Sequence, residues 1–407
     1  MRFLPVSALQ HAAVTTGTAL SALWTFPSIL LSAFLVGWGA EAAQFLVSQG
    51  LALAVLAWLQ TLPEFAVEAV IAWKAGEDPG QSHLAIANLT GAIRLLVGLG
   101  WPMIYFVAAY FGRKQRAGTL VITLDREHAV EVVATLPPLL WFVVIWWKQS
   151  IGWPDAVVLI ALYAAYLWVL WHCPPHTEEE LGDAPAISRW AYGLGGTRRL
   201  LAIGGLFAVG GVLLYVTAEP FLLSMLAVAG TLGVSDFVLV QWVAPFLSEF
   251  PEKLTAFNWA RRIKHAPMAL MNMVSSNINQ WTLLAAMIPL VYGWSYAAAH
   301  GGAWAPFRFD GEQRVEIGLT IAQSVVAVLL LADLRFHWYD ATILFVLWLA
   351  QFLVPPWREE ITLVYLGWAA LLIAMAVTGH RPMAAPRVFV EVFREGRARR
   401  RAAAVEP

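Results

Sequence analysis

Residues 59–64 read LQTLPE and residues 247–252 read LSEFPE, each inside an apolar stretch. Both put a proline directly before a glutamate, Pro63-Glu64 and Pro251-Glu252, where a membrane-crossing helix would run. A carboxylate at bilayer depth costs about 2.5–3.5 kcal/mol on insertion scales, so it marks a functional position by default. Its recurrence in two halves of one chain predicts a site assembled from an internal repeat.

The rest of the chain agrees with membrane depth. Of 407 residues, 59% are hydrophobic and 13% charged, and the mean hydropathy is +0.65. Soluble domains carry about 25% charged residues. The composition therefore reads as an all-α polytopic membrane protein, with 21 tryptophans suited to aromatic belts at the two interfaces. The net charge of −1 is read as uninformative about partners, the charges being expected in loops and tails. Nucleic acid is not an expected partner. The one cysteine, Cys173, rules out an internal disulfide framework and a Cys-rich metal site. Residues 1–20 do not read as a cleavable leader.

About 20 apolar residues cross the hydrocarbon core. By that length, spans fall near 24–48, 50–73, 84–111, 128–147, 154–172, 200–228, 236–260, 266–293, 315–334, 338–355 and 359–378, eleven in all. The polar stretch 173–199 holds Glu178, Glu179, Glu180, Asp183, Arg198 and Arg199 and reads as a cytoplasmic linker between membrane halves 24–172 and 200–355. An additional helix, 359–378, and a basic cytoplasmic tail, 379–407, complete the division. Four basic clusters share one side if the N-terminus is outside and the C-terminus cytoplasmic: Arg113-Lys114-Gln115-Arg116, Arg198-Arg199, Arg261-Arg262-Ile263-Lys264, and Arg394 to Arg401. The tail reads as a topology signal, with contact to anionic lipid as the alternative.

The halves match beyond the opening phrase. Gly39-Ala40-Glu41 precedes the first copy, and Thr217-Ala218-Glu219 precedes the second. Asn88 follows the first in ANLTGA, and Asn272 the second in MNMVSSN. DREHAVEV at 125–132 answers DGEQRVEI at 310–317, and WPDA at 153–156 answers WYDA at 338–341. Each half then has five spans. Five is odd, so the second half enters the membrane the other way round, an inverted repeat with its site near the midplane.

Proline in a helix interior removes a backbone hydrogen bond, so carbonyls near Gln60 and Ser248 are expected to face a cavity. Glu64 and Glu252 add carboxylates, Thr61, Ser248 and Ser276 hydroxyls, and Gln60, Asn277 and Gln280 amides. An all-oxygen set suits hard cations such as Ca²⁺ or Na⁺. The plainer reading is a kink whose glutamate pairs with a buried base. Glu41 and Glu219 read as hydrogen-bond partners between helices. Asn88 and Asn272 either bridge helices or coordinate an ion. Gly204, Gly205, Gly210 and Gly211 read as packing residues. His172 and His176 flank a loop and make a poor metal pair.

These residues resemble the cation/Ca²⁺ exchanger superfamily, which includes the sodium/calcium exchangers. Its two repeats read GTSLPE followed by GNxIGSN. Here TLPE is kept at Thr61 to Glu64, and an N-x-x-G at Asn88 to Gly91. Pro251-Glu252, the stretch from Asn272 to Asn277, and Ser235-Asp236 carry the second resemblance. The resemblance implies ten helices in two inverted five-helix repeats, here with an eleventh added. It implies a diamond-shaped ion site on the second, third, seventh and eighth, and gating helices that slide to alternate access. Its ligand positions fall on Glu64, Glu252, Gln60, Thr61, Ser248, Glu249, Ser276 and Gln280. Ala92 and Leu96 stand where oxygens are usual, and Glu249 adds a carboxylate. Arg94 either pairs with Glu249, filling sodium's place, or snorkels or bonds a carbonyl away from the site. The function implied is antiport of inorganic cations, Ca²⁺ for Na⁺ or H⁺, in a bacterial-type inner membrane, without enzyme activity or cofactor. A non-transporting scaffold or sensor of the same fold is the alternative.

Overall fold

The structure is a computed structural model describing residues 18–46, 49–113, 119–173, 182 and 184–403. His176, Glu178 to Glu180, Asp183, Lys114 to Arg116 and residues 1–17 lie outside the described residues.

The first half runs α1 (Ala22–Ala43), α2 (Gln49–Gln60), α3 (Leu62–Glu77), α4 (Ser82–Leu95), α5 (Trp101–Gly112), β1 (Val121–Thr123), α6 (Ala129–Ala134), α7 (Leu136–Lys148), β2 (Ser150–Ile151) and α8 (Trp153–His172). Pro63 lies in the first turn of α3, where a missing N–H does least harm. The helix before it therefore stops at Gln60 and a new one starts two residues on. Asp78 caps the turn into α4 by accepting from Gly80 N at 3.0 Å. A π-helical turn, Leu96–Gly100, joins α4 to α5. Pro137 and Pro138 separate α6 from α7, a break inside what reads as one span, 128–147.

After α9 (Ala186–Gly193), the second half runs α10 (Gly196–Leu232), α11 (Asp236–Ser248), α12 (Phe250–Ala260), α13 (Ala266–Asn279), α14 (Ala285–Ala299), β3 (Phe307–Arg308), α15 (Gly311–Leu331), β4 (Arg335–His337) and α16 (Trp338–Leu353). Then come α17 (Arg358–Val377) and α18 (Ala385–Ala403). Pro251 starts α12 as Pro63 starts α3. A second π turn, Gln280–Leu284, joins α13 to α14 at the place matching the first. Eight stretches are long and apolar enough to cross a membrane. With the two broken pairs and α16 the described residues make eleven crossings, two inverted five-helix repeats and one helix more.

Packing follows the repeat. α1 lies against its counterpart α10, α2 against α13, α4 against α11, and α3 against α14. Two short antiparallel ladders join the halves: β1 pairs with β4 and β2 with β3. The repeated W-x-D-A is a helix start. Asp155 accepts from Gly152 N at 2.8 Å and Asp340 from His337 N at 3.0 Å, each closing the first turn of its helix.

Two expectations, on buried charge and on the packing glycines, need correcting. Charges are not confined to loops and tails: Glu68, Arg94, Glu249, Lys253 and Glu316 are all buried. Within 173–199 lies helix α9, and within 379–407 lies α18, whose Phe389 and Phe393 pack on the core. Of the four glycines assigned to packing, only Gly210 meets a neighbour, at Val36 and Leu35. Gly204, Gly205 and Gly211 have open space where a Cβ would go.

Candidate ion-binding site

The two helix breaks are the starting point. Thr61 and Glu249 occupy the single residues between the paired helices, with φ, ψ of −85°, −2° and −97°, 4°. Glu64 and Glu252 follow in the first turns of α3 and α12. That places both carboxylates near helix N-termini, where the unpaired N–H groups favour negative charge.

Gln280, on the π turn after α13, ties the two halves together. Its Nε2 lies 3.2 Å from both carboxylate oxygens of Glu64 and donates to Glu249 Oε1 at 2.9 Å. The other oxygen of Glu249 is ion-paired with Lys253, one turn along α12. Neither carboxylate oxygen of Glu252 nor Ser276 Oγ makes a hydrogen bond of good geometry, although the two side chains are neighbours. Thr61 Oγ1 accepts from Asn279 Nδ2 and donates to the Trp58 carbonyl at 2.9 Å. Asn272 Nδ2 donates to Gln60 Oε1 at 3.4 Å, leaving its own Oδ1 unpartnered. Ser248 Oγ donates to the Ala244 carbonyl at 2.9 Å. Asn277 is buried alongside, its Nδ2 without an acceptor. Asn88 is drawn elsewhere: its Nδ2 donates to Glu68 Oε2 at 2.6 Å, one turn beyond Glu64 on α3.

Buried polar atoms normally find partners, so a concentration of unpartnered oxygens calls for an explanation such as an ion or water. Here they are Glu252 Oε1 and Oε2, Ser276 Oγ, Asn272 Oδ1, Asn279 Oδ1 and Gln280 Oε1. All are hard oxygen donors, the kind that Ca²⁺ collects in shells of about six to eight. Among the described residues no three carboxylate, imidazole or thiolate groups form a ready-made cage. Amide and hydroxyl oxygens would have to complete any shell.

Arg94 does not reach Glu249. It is ion-paired with Glu316 on α15, donates to Gln351 Oε1 at 3.2 Å and to the Thr90 carbonyl at 3.1 Å, and stands over the Trp242 ring. Arg358 is paired with the same Glu316, and donates to Gln241 Oε1 at 3.1 Å. The partner of Glu249 is instead Lys253, which α12 delivers at i+4. Reading the sequence overlooked Lys253, Glu68 and Asn279. The clue for Lys253 was in plain view, since it follows Glu252 directly; Glu68 shares the helix face of Glu64 four residues on.

Glu41 lies between helices as expected, accepting from Ser188 Oγ at 3.1 Å and Thr255 Oγ1 at 2.6 Å. Glu219 pairs with Lys74 at 2.7 Å. His172 is held by the Trp168 carbonyl at 2.7 Å.

The family model for sodium/calcium exchanger protein matches residues 16–172 and 203–355. The solved structure of H⁺/Ca²⁺ exchanger CAX is similar at 31% identity, covering 96% of this chain and 93% of that one with a TM-score of 0.82. The sodium-calcium exchanger NCX_Mj shares the fold at 19% identity, with coverage of 83% and 99% and a TM-score of 0.53. Native YfkE does so at 14% identity, with 86% and 94% and a TM-score of 0.56. No curated protein sequence matches the chain. Two matched halves, broken at the same Pro-Glu phrase and joined at the same π turn, place this chain in the sodium/calcium exchanger protein family of membrane antiporters.

Proposed function

We propose that the protein exchanges Ca²⁺ for H⁺ or Na⁺ by alternating access, with Glu64 and Glu252 carrying the ion. Gln60, Thr61, Ser248, Glu249, Asn272, Ser276, Asn277 and Gln280 are the proposed completing set; Asn88, bonded to Glu68, would join it only by leaving that carboxylate. The observation that carries this reading is the pair of buried carboxylates at equivalent helix breaks in the two halves. Carboxylates at this depth cannot cross between states empty and ionised without a large electrostatic cost. They must hold a cation or protons, which couples the two fluxes. H⁺ is the favoured counter-ion. Ala92 and Leu96 supply no oxygens for additional sodium sites, and the relative at 31% identity is an H⁺/Ca²⁺ exchanger.

The proposed division is 24–172 and 200–355 for the two membrane repeats, with 173–199 and 379–407 cytoplasmic, the N-terminus outside, and a bacterial-type inner membrane as the location. A non-transporting sensor or scaffold is the second reading; the buried Lys253–Glu249 pair favours it, because an ammonium already sits in the site.

The test is ⁴⁵Ca²⁺ flux in proteoliposomes under an imposed pH gradient and then an imposed Na⁺ gradient. Flux follows one of the gradients and falls at least about a hundredfold in Glu64→Gln and Glu252→Gln, the loss of a transport-essential charge. Wild-type flux no greater than that of the variants would leave the scaffold reading.

A further inference from the structure

Lys253 is the residue at this site that the antiport reading leaves without a role. It is 6% exposed and its ammonium is committed to Glu249 Oε2. Gln280 links that same Glu249 to Glu64. Glu64, Glu249, Glu252 and Lys253 are within electrostatic reach of one another. Glu68 stands apart, held by Asn88. The buried Arg94 and Arg358 are both paired with Glu316, Arg358 with Glu312 as well.

Charge then decides what the group can accept. Three ionised carboxylates and one ammonium leave a formal charge of minus two, which one divalent cation balances. Without the ammonium, the same carboxylates would need a divalent and a monovalent cation together, since a buried charge without a partner is strongly unfavourable. Resting on the antiport reading above, we propose that Lys253 is a tethered counter-cation. Its ammonium holds, as part of the chain, the place beside Glu249 that a bound monovalent ion would otherwise take. The site thereby takes a divalent ion alone.

The pairing also accounts for local form. Glu249 is the single residue between α11 and α12, and Lys253 lies four residues on in the first turn of α12. Spacing of i, i+4 puts the two side chains on one helix face. The cation therefore travels with the carboxylate whenever α12 moves, which a free ion need not do.

The experiment is equilibrium ⁴⁵Ca²⁺ binding to the purified full-length protein, with Na⁺ titrated. Wild-type affinity is expected not to rise with Na⁺. In Lys253→Met, a monovalent ion fills the vacated place, and Ca²⁺ affinity rises about tenfold or more from Na⁺-free to Na⁺-rich buffer. In Lys253→Arg, which keeps the charge, that dependence is absent. In Glu249→Gln/Lys253→Met, which removes both charges, it is absent again. A folded Lys253→Met whose Ca²⁺ binding is indifferent to Na⁺, or only weakened by it, overturns the proposal. So does a wild-type protein whose Ca²⁺ binding is enhanced by Na⁺, a result that needs no variant to fold. Wild-type protein that binds no Ca²⁺ would overturn the antiport reading itself, and this inference with it.

Discussion

At the scale of single residues, the molecule solves two charge problems separately. Glu249 is met by Lys253 within its own helix turn, and Arg94 is met by Glu316 across the fold. Glu316 is shared, since Arg358 is paired with it as well, and both Arg94 and Glu316 are 0% exposed. Removing one partner of a buried pair costs about 3–5 kcal/mol, because the other charge is left uncompensated. Losing Glu316 strands Arg94 and leaves Arg358 only the exposed Glu312 at 3.7 Å, whereas losing Arg94 leaves Glu316 with Arg358. Glu316→Gln should therefore lower the unfolding temperature in detergent more than Arg94→Met does. Glu249→Gln should not rescue Arg94→Met, since the two groups do not meet. Thermal unfolding followed by size-exclusion chromatography checks the order; the reverse order would contradict the shared-carboxylate geometry.

At the scale of elements, the site depends on helices that approach closely at their breaks. α4 and α11 meet at Gly91, where a Cβ would overlap the Gln241 backbone carbonyl. A backbone atom cannot swing aside as a side chain can, so Gly91→Ala must push α4 from α11. Overpacking of this kind costs about 1–3 kcal/mol, occasionally more. Gly204→Ala is the control. Nothing lies within 4 Å of a Cβ there, and a helix-interior glycine gives way to alanine with a gain of up to about 1 kcal/mol. Melting temperatures should fall for Gly91→Ala and hold or rise for Gly204→Ala. Gln241 also donates to Glu316 Oε2 at 2.8 Å, so displacing α11 at Gly91 disturbs the buried ion pairs too. The two π turns are the other element-scale device. Each sits at the end of an Asn-bearing helix, and the second presents Gln280 to Glu64 and Glu249. Local irregularity of this kind commonly marks functional positions.

At the scale of the whole molecule, the repeat is exact in plan and unequal in detail. The ladders β1–β4 and β2–β3 clasp the halves together at equivalent loops. What breaks the symmetry comes from the C-terminal end. α17 begins with Arg358, which it brings to the buried Glu316. Arg381, after it, is paired with Asp333 at 2.7 Å and with Asp340 at 2.9 Å. α18 then crosses to the first half, where Phe393 packs against Trp168 and Gly396 abuts the backbone of His172 and Cys173. Arg126 bridges Glu391 and Glu395, but these pairs are solvent-exposed and contribute little. Docking of α18 covers Cys173, whose thiol is pushed up to about 12 by burial, with Glu131 and Glu127 adding to the effect. The thiolate is the reactive form, so alkylation should be slow at every pH well below that value. Native protein should react with iodoacetamide at pH 8 about a hundredfold more slowly than denatured protein, read as a mass shift. Equal rates would mean that α18 does not stay docked.

Much of this was legible from residue types alone. Hydropathy and length placed eleven crossings, because a bilayer demands about 20 apolar residues whatever their partners. Pro63 and Pro251 set the helix breaks, because a missing N–H acts locally. The repeated W-x-D-A and Pro-Glu phrases disclosed the duplication, and an odd span count its inversion. Glu64, Glu252, Thr61, Gln60 and Gln280 were named as candidates without coordinates. Charge pairing was not legible in the same way. Arg94 lies 222 residues from Glu316, and nothing in either neighbourhood signals the other. Lys253 was one helix turn from Glu249, yet its commitment depends on which face of α12 is buried. Helix propensity and hydropathy are properties of a segment. Which carboxylate meets which cation is a property of distance through space, and only the packed fold decides it.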